Sequence, residues 1–335
     1  MEAIKKRLPF SLALASLTAI LLAVAVLSLR LGSAHLSWSA FFGGLFHQKG
    51  FETETLILYA VRLPRLTAAV LAGAGLSVSG VLLQSVTGND LASPGIIGVS
   101  SGAGFMVILC LSFFPSAFVF VPAAAFAGAF GTTLLILTAA NKIGGGKQTF
   151  ILAGIAFTAI LNAAISFLSL LDTDVLTAYN YFSVGGLSGV QTKSLIVPGA
   201  VIFVCIGLCL CLARRINLLC LGDGLASSLG VRVRLLRTVC LILASASAGA
   251  VVSFAGLLGF VGLVIPHIAR RLFGMNTKRL LAAAPILGAV LVLLGDLLGR
   301  VALAPTEIPV GIVMSAIGAP FFFGLLLKKS GGNYA

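Results

Sequence analysis

Few side chains in this sequence are equipped for chemistry, and their spacing narrows what they could do. Nine Asp and Glu and three His are spread over 335 residues. Asp296 is the only acid well inside an apolar run, LVLLGDLLGR. A carboxylate in hydrocarbon costs roughly 2.5–3.5 kcal/mol on insertion scales, so it needs a partner. Arg300 lies one helical turn further on, in the favourable acid-then-base order. The pair is either a structural ion pair near one interface or a device that presents Arg300 to a partner outside. His267, in IPHIARR, has no second His or Cys at metal-ligand spacing, which reads as packing or capping and not as a metal site. The six Cys (110, 205, 209, 211, 220 and 240) contain no C-x-x-C pair, and most lie in or beside apolar runs. Buried free thiols are expected, with neither disulfides nor bound metal. The run GGGKQT at 144–149 resembles the end of a phosphate loop. Asn141 stands where the first Gly belongs, Gln148 follows the Lys, and no strand precedes it. It reads as a flexible loop, and no ATPase is visible in the chain.

The other polar features point to recognition. From Asn217 to Arg237 the sequence runs NLLCLGDGLASSLGVRVRLLR, a polar and basic island in an apolar chain. Gly222 and Asp223 open a short segment and Gly230 closes it, which are start and stop signals for a short helix. Arg214, Arg215, Arg232, Arg234 and Arg237 flank it. The island is either a handle for another protein or a basic loop that sets orientation. Arg62 and Arg65, in RLPR, either snorkel to head groups or offer counter-charges to acids on an external protein.

Any element that positions these residues must be a membrane helix. The chain is 59% hydrophobic and 9% charged, with a mean hydropathy of +1.15. Those values exclude a soluble domain of this size. Crossing the hydrocarbon takes about 20 apolar residues. Segments of that kind fall at roughly 10–30, 62–84, 96–114, 118–140, 150–171, 195–213, 238–255, 280–300 and 310–327, with a short one within 254–271. The expectation is one all-α integral membrane domain, 1–335, of about ten transmembrane helices. The second segment carries Gly73, Ala74, Gly75, Ser77, Ser79 and Gly80, which suit close helix packing in lipid. Lys5, Lys6 and Arg7 precede an apolar run too long for a signal peptide, with no A-x-A site after it, so a retained first span is expected. Ten spans put both termini on one side. Most of the 22 Lys and Arg fall in loops on that side, which the positive-inside rule makes cytoplasmic. The net charge of +13 therefore reports orientation and not nucleic-acid binding.

Five ordered motifs carry a resemblance. They are RLPR, GNDLASPGIIGVSSGAG, LGDGLASSLGV, GLLGFVGLVIPHIARR, and GDLLGR with PTEIPVGI and IGAPFFFGLLL. Through them, from about 60 to 328, the chain resembles the FecCD family, the permease subunits of bacterial ABC importers for ferric siderophores, haem and vitamin B12. The resemblance implies a type II importer permease fold in the bacterial plasma membrane. It implies a permease dimer of like or sister chains, two cytoplasmic ATP-binding subunits, and an external substrate-binding lipoprotein that delivers the iron chelate. ATP and Mg would belong to the partner ATPase, and no cofactor to this chain. Gly222, Asp223, Ala226, Leu229 and Gly230 match the family's coupling helices, here within about 216–234. Asn89 and Leu91 match an Asn-Pro-Leu-Ala stretch that forms a cytoplasmic gate, and Lys147 and Gln148 map loosely onto its second element. Asp90 stands in place of the Pro, which removes a backbone restraint. Arg62, Arg65 and Arg300 match outer basic residues that meet Glu on the binding protein.

The resulting expectation is a permease that moves a ferric siderophore by alternating access, worked by a separate ATPase. Haem or vitamin B12 is the alternative cargo, and an ion-coupled carrier a more distant alternative. A carrier would place several acids at the bilayer midplane, where the sequence offers only Asp296. A membrane enzyme would cluster His, Asp or Ser near an interface, and no such cluster is visible.

Overall fold

A computed structural model of the chain describes residues 9–32, 36–114, 118–144 and 146–330. Lys5, Lys6, Arg7 and His35 lie outside the described residues. The regular elements are helices: α1 (Phe10–Arg30), α2 (Trp38–Leu45), α3 (Glu52–Leu56), α4 (Leu63–Thr87), α5 (Val99–Phe113), α6 (Val121–Ile143), α7 (Lys147–Leu171) and α8 (Thr173–Val184). They continue with α9 (Thr192–Leu219), α10 (Asp223–Ser228), α11 (Val233–Ala255), α12 (Val261–Phe273), α13 (Thr277–Val301) and α14 (Val310–Ser330). A π-helical turn, Ile57–Arg62, joins α3 to α4.

Each expected apolar segment coincides with a helix, but length separates them. Among the described residues, 7 helical stretches are long and apolar enough to cross a membrane. Helix α5 and the stretch Val310–Gly324 are apolar but shorter, and α12 has 13 residues. At 1.5 Å per residue, 13 residues reach about 20 Å, against about 30 Å of hydrocarbon. Such elements are tolerated at membrane depth only where protein surrounds them. Helix α12 packs against α4 and α13, and α5 against α6 and α7.

Helix α4 is the core, buried almost continuously from Ala68 to Thr87. It lies against α13, α11, α12 and α9. The small residues make this possible. A methyl added to Gly73 would strike the Gly288 carbonyl of α13, and one added to Gly80 would strike the Gly262 carbonyl of α12. Backbones at that separation gain van der Waals contact that lipid cannot supply. Ser79 Oγ donates to the Ala244 carbonyl at 2.7 Å, and Ser247 Oγ donates to the Gly75 carbonyl at 3.0 Å, fastening α4 to α11. Mean hydropathy does not separate centre from rim: it is 2.6 for α1 and 2.8 for α9, but 2.1 for the peripheral stretch Gln148–Leu171, against 2.0 for the stretch containing α4. The centre is marked by residue size and hydrogen bonding instead.

Three further helices fall between the expected apolar segments. Helix α2 is capped by Ser37, whose Oγ accepts from Ala40 N at 3.1 Å. Helix α3 opens with Glu52 in its first turn. Helix α8 is capped by Asp172, whose Oδ1 accepts from the backbone N of Asp174 at 2.8 Å and Val175 at 3.3 Å. Of the loop expected at 144–149, Lys147 to Thr149 belong to α7, and α6 runs up to it at Ile143. All six Cys are free, but burial holds only for Cys205, Cys209 and Cys240. Cys211 and Cys220 are exposed on the outward faces of α9 and its C-cap, and Cys110 is half-buried.

Candidate coupling, gate and docking sites

The polar island folds as its punctuation predicts. Gly222 takes φ +106°, which lets the chain leave α9 and turn sharply into α10. Gly230 takes φ +82°. At the other end Val231 N donates to the Ala226 carbonyl and Gly230 N to the Ser227 carbonyl, both at 3.0 Å. This is the paired-bond C-terminal stop that needs a left-handed residue at Gly230. Ala226 is fully buried against the neighbouring helices, while Leu225 and Leu229 are 61% and 58% exposed. The Asp223 carboxylate accepts two hydrogen bonds from Arg237 Nη2, at 2.7 and 2.8 Å, tying the start of α10 to α11. The short helix is therefore a knob fixed at both ends, with an apolar tip facing away from the body. Arg237, one of the five flanking cations, is thus set apart from the others by its bond to Asp223.

The turn after α4 is held in a different way. Gly88, at φ +65°, caps α4. Asn89 Oδ1 accepts from Leu91 N at 2.9 Å, and Ala92 N donates to the Asn89 carbonyl at 3.1 Å. The Asn89 side chain thus shapes the turn, and Leu91 projects outward, 40% exposed. Asp90 forms an ion pair with Arg270 of α12 at 3.0 Å. The restraint lost with the missing Pro is replaced by a tether between the turn and α12. Gln148 is exposed at the start of α7.

At the opposite end of α4 the charges are buried. Arg65 Nε donates to Asp296 Oδ1 at 2.9 Å, and its Nη1 donates to Glu307 Oε2 at 2.6 Å. Arg300 Nε lies 3.0 Å from Asp296 Oδ2. Its Nη2 donates to Ser28 Oγ at 2.7 Å, and its Nη1 to the Leu31 carbonyl at 3.0 Å. Arg62 Nη1 donates to the carbonyls of Leu29 and Arg30, both at 2.6 Å. The two carbonyls left open at the end of α1 thus gain charged donors. The ion pair expected between Asp296 and Arg300 is present, but Asp296 also holds Arg65, from the far end of the sequence. Arg62, Arg65 and Arg300 are only 6%, 7% and 4% exposed. In this structure they staple α1, α4 and α13 together and meet the chain's own oxygens. A cavity of about 490 Å³ lies beside them, lined in part by Arg65, Glu307, Tyr181, Phe182, Ser188 and Ser253. His267 sits edge-on to Phe321, with ring centroids 6.4 Å apart. No group of three or more His, Cys, Asp or Glu that could hold a metal occurs among the described residues.

The model of the FecCD transport family matches residues 20–328. The chain belongs to the FecCD transport family. Among FecCD-type relatives it is 38% identical to the Fe(3+)-citrate import system permease protein YfmE of Bacillus subtilis, over 94% of each chain. It is 36% identical to the hemin transport system permease protein HmuU of Yersinia pestis, over 92% of this chain and 94% of that one. A solved structure, described as an inward-facing conformation of a metal-chelate type ABC transporter, superposes with a TM-score of 0.85 at 32% identity. It covers 94% of this chain and 99% of that one. The FecCD chain is thus a multi-pass membrane permease, not an enzyme, of the kind that works with further subunits. Of the residues singled out in its sequence, Gly222, Asp223, Ala226, Leu229 and Gly230 come together on one short helix. Asn89 and Leu91 share one turn, and Arg62, Arg65 and Arg300 share one buried cluster. Glu307 and Arg270, which complete two of these groups, were missed because their partners are more than 150 residues away in sequence.

Proposed function

We propose that this chain is the permease subunit of an ATP-driven importer that carries a ferric siderophore across the bacterial plasma membrane by alternating access. It crosses about ten times with both termini cytoplasmic. A second permease chain completes the path, and two cytoplasmic subunits hydrolyse ATP with Mg. No cofactor is assigned to this chain. The names of the relatives, Fe(3+)-citrate for the one from Bacillus subtilis and achromobactin for the CbrC permease of Dickeya dadantii, 39% identical, support an iron chelate. The hemin relative keeps haem as the alternative.

The observation that carries the mechanism is the anchored knob. An ATPase groove that grips Leu225 and Leu229 moves α10 as a rigid piece, because Asp223–Arg237 and the Gly230 stop join it to α11. From α11 the displacement passes to α4 through Ser79 and Ser247, and so to the Asn89–Leu91 turn at the base of α4. The inner turn opens and closes as the gate. In the permease reconstituted with its ATPase and binding protein, Leu229→Arg lowers ferric-siderophore uptake by about thirtyfold, the effect of losing one central contact of about 2 kcal/mol. ATP hydrolysis continues, uncoupled. Normal uptake removes the assignment.

Docking of the binding protein is assigned to the outer end, around Arg62, Arg65 and Arg300. Since their guanidinia point inward, docking reaches them only as the cluster loosens. Arg62→Glu lowers the affinity for the binding protein about tenfold, the effect of a charge pair worth about 1.4 kcal/mol, as titrated in detergent. Undiminished affinity in a variant that unfolds like the parent places docking elsewhere.

A further inference from the structure

We infer that the groove between α9 and α11, next to α10, binds one anionic phospholipid of the cytoplasmic leaflet. The groove encloses about 510 Å³, within the roughly 300–1,000 Å³ of typical ligand sites. Its walls are Leu212 and Leu218 of α9 with Leu235 and Val239 of α11, Leu229 and Gly230 of the knob close its lower end beside the face assigned to the ATPase, and Arg215 and Arg232 also line it. No Asp or Glu does.

The five cations around the island are not equivalent. Arg237 is held by Asp223, and Arg234 donates to the Asn141 carbonyl at 3.3 Å. Arg215 and Arg232 form no ion pair or side-chain hydrogen bond with other described residues, and both are exposed. Two guanidinia beside an apolar slot match a phosphate joined to acyl chains, bidentate donors for the one and hydrocarbon walls for the other. Depth agrees. From Thr192 to Arg215 helix α9 rises about 35 Å, just past about 30 Å of hydrocarbon, which sets Arg215 at head-group level. Basic pockets between membrane helices on the cytoplasmic side suit anionic lipid head groups.

A soluble subunit is the competing occupant. The slot, however, runs from Leu218 up to Leu212 and from Arg232 up to Val239. Its top, at Leu212, is one helical turn above Arg215 and so at the edge of the hydrocarbon, where acyl chains begin and the footing of a soluble protein ends. The inference rests on the cytoplasmic placement of α10 proposed above.

The test is lipid retention by the permease purified with its ATPase subunits in detergent, using radiolabelled phosphatidylglycerol and phosphatidylcholine. The parent retains phosphatidylglycerol selectively, at one per permease chain. The double variant Arg215→Gln, Arg232→Gln loses about thirtyfold in retention, since each basic group near an anionic surface contributes about fivefold. Arg214→Gln, outside the groove, changes retention little. Leu212→Trp keeps both guanidinia but fills the slot, and lowers retention too. Excess inorganic phosphate does not displace the lipid. Unchanged retention in the double variant overturns the site. Displacement by phosphate alone overturns it in favour of a simple anion site. Loss of the ATPase subunits with lipid still retained overturns it in favour of a protein contact. Retention is read without ATP or transport, so a chain that keeps the lipid yet imports nothing sustains this inference and removes the importer reading instead.

Discussion

The two ends of helix α4 handle charge in opposite ways. At its N-terminal end Arg65, Asp296 and Arg300 are withdrawn from solvent and bound to one another, with Glu307 at the rim and backbone carbonyls of α1 completing the set. At its C-terminal end Asp90 meets Arg270, and α10 meets α11, through ion pairs whose acids stay about half exposed. Water lowers the worth of an exposed pair to about 0–1 kcal/mol, while removing one partner of a buried pair costs about 3–5 kcal/mol. One end is thus held by pairs that are costly to break, and the other by pairs that water weakens.

That contrast can be broken most directly at Asp296. Asp296→Ala leaves two buried guanidinia without their shared carboxylate and lowers stability by about 3–5 kcal/mol, read from thermal unfolding in detergent. A loss below about 1 kcal/mol would mean that the Arg65–Asp296–Arg300 cluster is no more than a wet surface pair. Next comes the end of α10. Gly230→Val forces a branched side chain into φ +82° and costs about 1–2 kcal/mol of local order. Hydrogen exchange of residues 223–231 then quickens while α4 remains protected. Equal change in both regions would show that the knob and the core unfold together. The smallest effect belongs to Asp90→Asn. It shifts global stability by under about 1 kcal/mol, yet it frees the turn, so the measurable change is in the rate of uptake. An effect on stability as large as that of Asp296→Ala would erase the distinction between the ends.

How much of this was legible beforehand differs between the two ends for the same reason. The knob is encoded locally. Gly222, Asp223, Ala226 and Gly230 lie within nine residues, and backbone conformation alone selects them. The turn after α4 is also local, through Gly88 and the Asn89 side chain. The Arg65–Asp296–Arg300 cluster is not. The sequence pairs Asp296 with Arg300, one turn away, but nothing in it says that Arg65 shares the same carboxylate. Nor does it say that the cations of RLPR point into the protein and not toward a partner. Helices α2 and α8 escaped notice because they are short and lie between the long apolar segments, where capping by Ser37 and Asp172 marks them instead of apolar periodicity.

The sequence by itself determined the solvent, the helical class, the placement of the long apolar segments and the short helix between Gly222 and Gly230. Each follows from composition or from the conformational limits of neighbouring residues. Only the tertiary structure decided which helix is the core, which cations are spoken for, and where a slot with two unclaimed guanidinia remains. Those depend on contacts between residues far apart in the chain, such as Gly73 with Gly288 and Arg65 with Asp296. Lipid erases the hydropathy difference between inside and outside that would mark such contacts in a soluble protein.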